Sequence, residues 1–254
     1  STLFSVPTCQ SIAKKAIVDR LSEAYGIEQF EETGAEYTVK VTLLKDRATI
    51  TVDTSGVGLH KRGYRTNDVT APIKETLAAA MVQLSFWREG RLLVDPCCGS
   101  GTIPIEAAMI AANIAPGMNR SFLAEEGDNL IPKKLWYDTI DEANEMIDDN
   151  IEVDIQGYDI DPEVLRAARE NAKEAGVDHL IHFQQRAVKD LRHPKKYGFI
   201  ISNPPYGERL SDRKQIEGLY RDYGKMVASL DKWCAYTLTS VTDFERLFGK
   251  STIT

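Results

Sequence analysis

Three short stretches hold the residues whose types and spacing could do chemistry. In "LLVDPCCGSGTIPIEAAMIAA" an apolar strand runs into Asp95 and Pro96, then through Cys98, Gly99, Ser100 and Gly101 into a helix that begins at Thr102. Glycines between strand and helix make the tight turn and let the backbone approach a ligand. A nucleoside triphosphate loop would need a Lys-Ser/Thr pair after a longer gap, and Thr102-Ile103-Pro104 follows instead. A ligand carrying an amino acid and a ribose suits the stretch better. Its carboxylate fits the helix N-terminus and its ammonium fits the Asp95 carboxylate. The second stretch, "VDIQGYDIDPEVLRAARENA", ends a strand on Asp159, where a carboxylate can hold both ribose hydroxyls. Asp161 competes for that task, but as Asp-Pro-Glu it also reads as a helix cap.

The third stretch is "ISNPPYGERL", in which an apolar strand runs into Asn203-Pro204-Pro205-Tyr206. Two prolines forbid helix and ladder pairing and fix the backbone. The Asn203 side-chain carbonyl and the Pro204 carbonyl can then converge on one planar amine, while Tyr206 offers a flat face to an unstacked base. Accepting both amine protons aims the nitrogen lone pair at a neighbouring sulfonium methyl. Such catalysis is positioning and electrostatics, with no covalent enzyme intermediate.

The elements that must position these residues alternate from residue 72 onward. Helices are predicted over 72–87, 102–115, 133–150, 162–175, 212–230 and 242–249. Strands are predicted over 91–95, 153–159, 181–185, 197–202 and 234–240. That alternation means a parallel, doubly wound α/β sheet with all three stretches on its carboxyl edge. Upstream, 10–25 has helical spacing of Ile12, Ala16, Ile17 and Leu21. "YTVKVTLL" and "RATITVD" alternate as strands of a hairpin turning at Lys45-Asp46. This α-β-β piece is too small to bury a core alone, so the start of its domain is expected to be missing. The Gly/Ser/Thr/Asn-rich stretch 54–72 marks the boundary, placing an N-terminal domain and linker at 1–65 and an α/β domain at 66–254.

The bulk numbers restrict the class. No apolar run approaches the about 18 residues of a membrane span, and four cysteines form no disulfide or zinc pattern. A reduced, cytoplasmic protein without membrane contact is expected. His179 and His182 lack a third ligand, so no metal is expected. The net charge of −7 conceals its distribution, because residues 138–154 hold eight acidic residues and no Lys or Arg. Basic residues cluster elsewhere: Lys61, Arg62 and Arg65 around Tyr64, and Arg186, Lys189, Arg192, Lys195 and Lys196. Such patches could meet a phosphate backbone, or be solvated faces. Phe122, Trp136 and Tyr137 read as core, and Cys97 and Cys98 as packing side chains.

The three stretches together resemble S-adenosylmethionine-dependent amino-methyltransferases. They are most similar to the THUMP-linked guanine-N2 methyltransferases of bacterial 23S ribosomal RNA, to which "HKRGYRTNDVTAPIKETLAAAMV" adds a similar lead-in. The resemblance implies a Rossmann-like class I methyltransferase sheet behind a partial α+β THUMP-like RNA-binding domain, with S-adenosyl-L-methionine as cofactor and RNA, ribosomal RNA favoured, as partner. It implies cofactor contacts from Asp95, Pro96, Cys98, Gly99, Ser100, Gly101, Thr102, Asp159, Ile160 and Ala187. Asn203, Pro204, Pro205 and Tyr206 would be catalytic, and Lys61, Arg62, Tyr64, Arg65 and Arg209 would bind RNA. The family places an Asp after the third strand; Ala187 stands in that slot and Asp190 lies three residues on. Family members also extend beyond both ends of this chain, and a truncated C-terminus is expected. Rival readings are a transfer-RNA guanine-N2 methyltransferase, a DNA N6-adenine methyltransferase, and a non-catalytic RNA-binding protein. The DNA enzyme would not need the α-β-β piece. The binding protein would have no use for Asp95, Asp159 and Asn203.

Overall fold

The computed structural model of the chain describes residues 5–31, 33–65, 72–127, 131–207 and 213–251. They form two compact units. One comprises the described residues up to Gly58 with Ser121–Thr139, and the other comprises Leu59–Arg120 with the described residues from Ile140 onward. The division therefore falls ahead of the expected boundary at 65, because Tyr64 and its neighbours are built into the second unit. The segment 121–139 groups with the first unit, which the residue pattern does not indicate.

The first unit begins with helix α1 (Val6–Tyr25), capped by the Ser5 hydroxyl and ended by Gly26 in the left-handed conformation. Strands β1 (Thr38–Leu44) and β2 (Arg47–Asp53) pair antiparallel in the expected hairpin. Its turn puts Lys45 and Asp46 at φ 49° and 58°, the left-handed pair that matches strand twist. No residue of α1, β1 or β2 is buried, as the small size of the piece anticipates. Segment 121–139 adds an Ala124 amide donating to the Thr54 carbonyl at 3.0 Å and an edge-to-face Phe122–Trp136 contact. Tyr137, read as core, is 60% exposed.

In chain order the remaining elements are α2 (Glu75–Leu84), β3 (Leu93–Asp95), α3 (Thr102–Ala111), α4 (Lys133–Glu145), β4 (Ile155–Asp159), α5 (Pro162–Glu174), β5 (Ile181–Gln185), β6 (Phe199–Ser202), α6 (Arg213–Ala228), β7 (Cys234–Thr237) and α7 (Phe244–Phe248). The second unit holds a parallel sheet in the order β5-β4-β3-β6-β7. Strand order reverses between β3 and β6, so the crevice at their carboxyl ends is where such sheets bind ligands.

The strand period of two feeds two separate cores. Leu93, Ile155 and Ile201 pack with Ala78, Val82, Ile103, Ile105, Leu165 and Ala168 from α2, α3 and α5. Val94, Tyr158 and Ile200 face the other way, onto Tyr220, Tyr223 and Met226 of α6 and Phe244 and Leu247 of α7. With apolar burial worth about 25 cal/mol per Å², these double-sided strands are rigid supports for whatever stands at their ends. Among the described residues, no helix is long and apolar enough to cross a membrane.

Candidate active site

Asp95 ends β3 and Asn203 follows β6, the two strands that flank the topological switch. Ser202 ties them together by donating its hydroxyl to Asp95 Oδ1 at 2.7 Å, with the Cys97 amide donating to the same oxygen at 3.1 Å. Asp95 is 1% exposed, and burial pushes its carboxyl up to about 7 against the pull of these hydrogen bonds. The neighbouring Asp159 carboxylate contributes to that rise. Two carboxylates that repel each other at one cavity make a site suited to a cation.

Asp159 shapes the loop as well. Its Oδ2 accepts the Gly99 amide at 3.0 Å and its Oδ1 the Asp161 amide at 3.0 Å. Asp161 in turn caps α5 by accepting the Glu163 amide at 2.8 Å, the capping role open to it in the sequence. Gly101 is the N-cap of α3 at φ 83°. A Cβ there would lie 3.0 Å from Phe183 and 3.1 Å from Ala168, so both backbone strain and crowding demand glycine. The Asn171 side chain, buried in α5, donates to the Ser100 carbonyl at 3.1 Å and completes the hold on the loop.

These groups meet in one cavity of about 670 Å³. Asp95, Cys98, Gly99, Ser100, Thr102 and Asp159 form one side, and Asn203, Pro204, Pro205 and Tyr206 another, with Pro72 and Ile73 contributing. Asn203 Oδ1 is buried without a hydrogen-bond partner among the described residues. A buried acceptor left unmade costs about 1–3 kcal/mol, and this one lines a cavity with room for a donor. Tyr206 is 39% exposed, which leaves its ring available for stacking. A second cavity of about 230 Å³ is lined by Pro96, Ile160, Ala187, Val188, Lys189 and Asp222, and shares Cys97, Asp159 and Pro205 with the first. Burial pushes the Cys97 and Cys98 thiols well up, away from nucleophilic thiolate character. Among the described residues no cluster of His, Cys, Asp and Glu could hold a metal.

The basic residues read as RNA contacts need correction. Tyr64 is 1% exposed and donates its hydroxyl to Glu106 Oε1 at 3.0 Å. Arg62 pairs with the other oxygen of Glu106 at 3.4 Å and donates to the Leu59 carbonyl. Arg65 pairs with buried Glu75 at 3.1 Å. These three side chains are turned inward because α2 and α3 bury two carboxylates that require cations or hydroxyls. Lys61 stays exposed, and Arg209 lies outside the described residues. In the second basic group, Lys195 pairs with Asp154, Lys196 with Asp231, and Arg186 lies over the Tyr158 ring. A lone Glu inside the apolar run "TIPIEAAMIAA" was the signal that an inward partner had to exist. Tyr64→Phe is expected to lower stability by about 1–3 kcal/mol, since it strips a donor from buried Glu106, and to leave RNA affinity unchanged. Denaturant unfolding and a filter-binding titration read the two effects separately.

Residues 62–254 match the family described as "RMKL-like, methyltransferase domain", and residues 1–53 match "THUMP domain". The chain is 51% identical over 98% of its length to the YpsC protein of Bacillus subtilis, of which it covers 65%. It is 42% identical over 81% of its length to "Ribosomal RNA large subunit methyltransferase K/L" of Vibrio campbellii, covering 30% of it. Among solved structures, "a predicted N6-adenine-specific DNA methylase" of Listeria monocytogenes superposes with a TM-score of 0.95 at 48% identity, over all of this chain and 67% of that one. SMU.472, solved as a complex with SAH, gives 0.92 at 44% identity over 99% of this chain and 66% of that one. The chain thus spans less than two thirds of these first curated relatives.

Proposed function

Because the chain belongs to the RMKL-like methyltransferase family and carries a THUMP domain, we propose that it moves a methyl group from S-adenosyl-L-methionine to the exocyclic 2-amino group of a guanine in RNA, with 23S ribosomal RNA the favoured substrate. The observation that carries the reading is the unsatisfied Asn203 Oδ1 in the wall of the same cavity as Asp95, the glycine loop and Asp159. An acceptor poised without a donor, beside a site suited to a cation, is what an amine acceptor and a charged methyl donor require. The SAH bound by SMU.472 and the name of the Vibrio campbellii relative support the cofactor and the ribosomal substrate.

The donor supplies an electrophilic methyl on a sulfonium; the new carbon–nitrogen bond forms as carbon–sulfur breaks, the amine proton passes to solvent and a thioether remains. The chain's own residues do the rest. Asp95 meets the ammonium, the loop from Pro96 to Thr102 the methionine portion, and Asp159 the ribose. Ile160 and Ala187, with the lining of the smaller cavity, meet the adenine. Asn203 Oδ1 and the Pro204 carbonyl accept the two protons of the target amine. That draws the nitrogen lone pair out of conjugation and aims it, an effect of positioning and fixed dipoles. Pro205 holds the turn, and Tyr206 stacks on the extruded base.

The test is methyl transfer to unmodified 23S RNA, transfer RNA and duplex DNA, followed by nucleoside mapping. N2-methylguanosine in 23S RNA is the expected product. Methylguanosine in transfer RNA alone would move the substrate, and N6-methyladenine in DNA would overturn the assignment.

A further inference from the structure

Arg65 makes four contacts from behind the cavity wall. Its Nε donates to Glu75 Oε1 at 3.1 Å and its Nη2 to the Ile73 carbonyl at 3.4 Å. Nη1 also donates to Ser100 Oγ at 3.4 Å, and Nη2 to Thr102 Oγ1 at 3.0 Å. The first pair is sufficient for a structural clamp, because it neutralises a buried carboxylate and ties down the segment entering α2. The second pair has a chemical consequence. A hydroxyl has one proton to give and two lone pairs to accept with. Arg65 occupies an acceptor position on each hydroxyl, so each retains its proton for another partner. Neither proton has an acceptor among the described residues, and both residues line the large cavity. Ser100 and Thr102 are 4% and 3% exposed, so these donors are not spent on bulk water.

We propose that Arg65 is a positioning residue for the carboxylate end of the methyl donor. It fixes and polarises the Ser100 and Thr102 hydroxyls as a pair of donors presented to that carboxylate. The guanidinium acts through the two hydroxyls. Its charge, partly balanced by Glu75, reaches the anion as polarised O–H groups, which strengthens them as donors to a charged acceptor. A lysine could supply the charge but not the planar fork that reaches two hydroxyls and Glu75 together. Asp95, facing the same cavity, would take the ammonium. The two ends of one zwitterion are thereby sorted by opposite charges on opposite supports.

The inference rests on the cofactor reading above, and its test separates the two. Calorimetry on the unsubstituted chain and on Arg65→Lys, Arg65→Met and Thr102→Val would compare S-adenosylmethionine with its decarboxylated analogue, which differs by the carboxylate alone. The unsubstituted chain is expected to prefer the carboxylated ligand. Each variant is expected to shrink that preference by about tenfold, the scale of one charge-assisted hydrogen bond, with the analogue's own affinity little changed. An equal loss for both ligands in Arg65→Lys would make Arg65 a structural clamp only and overturn the inference. If Arg65→Met fails to fold, Arg65→Lys and Thr102→Val decide it, since Thr→Val keeps shape and removes one hydroxyl. Failure of the unsubstituted chain to bind either ligand would overturn the cofactor reading itself.

Discussion

Replacing Asn203 by alanine is expected to lower methyl transfer by about two to three orders of magnitude without lowering the stability of the fold. The two halves of this expectation have one origin. Asn203 Oδ1 makes no hydrogen bond within the described chain, so its removal costs the fold no hydrogen bond at that oxygen. Deleting an unmet buried acceptor relieves a desolvation cost of about 1–3 kcal/mol, and the variant should unfold at the same or a higher denaturant concentration. The loss falls on turnover, because one of the two acceptors that aim the amine is gone. Cofactor affinity should be nearly unchanged. Asn203→Asp restores an oxygen but places a third carboxylate beside Asp95 and Asp159, and should recover little. Steady-state kinetics with an unfolding titration check both halves; a large stability loss in Asn203→Ala would mean the residue is structural.

The second large effect belongs to Asp95, and it depends on pH. Burial raises its folded carboxyl to about 7 from the ordinary 3.8. The folded, ligand-free chain therefore holds this proton more tightly than the unfolded chain does. The resulting stability is fully present below about pH 4 and is lost as pH rises through about 7, a swing of order 4 kcal/mol at most. An α-ammonium ligand requires the opposite, ionised form. Affinity for S-adenosylhomocysteine should fall towards tenfold per pH unit below about 7, with a proton released from the site on binding. At higher pH the ligand's own amino-acid ammonium loses its charge, so affinity should peak on the alkaline side of about 7. Asp95→Asn is expected to weaken binding at the peak by about tenfold to hundredfold and to flatten the acid limb. The same substitution should stabilise the ligand-free fold at neutral pH. Calorimetry in buffers of different ionisation enthalpy measures both affinity and proton release; an unaltered acid limb in Asp95→Asn would assign the titration to another group.

The convergence of Asp95, Asp159 and Asn203 was legible because each is fixed by a strand end. Apolar runs of period and length suited to buried strands, alternating with helices, place their last residues on one edge of a parallel sheet. The hairpin was equally legible, since alternation and the Lys45-Asp46 turn are local. The direction of Arg62, Tyr64 and Arg65 was not. A cluster of basic residues around an aromatic looks alike whether it faces solvent or buried carboxylates, and the partner Glu106 lies 42 residues from Tyr64. Membership of 121–139 in the first unit has no periodic signal either, because it depends on contacts with residues near 54. The unsatisfied state of Asn203 Oδ1 likewise required the fold, since only packing shows which acceptors are left unmade.

The proposed function requires the cavity between the glycine loop and the Asn203 turn to hold the methyl donor with its sulfur facing Asn203. A crystal structure with S-adenosylhomocysteine tests it most directly. The expected complex has the ammonium on Asp95, the carboxylate on the Ser100 and Thr102 hydroxyls, the ribose on Asp159, and the sulfur open towards Asn203 Oδ1. Ligand bound elsewhere, or seated with its sulfur turned away from Asn203, would contradict it.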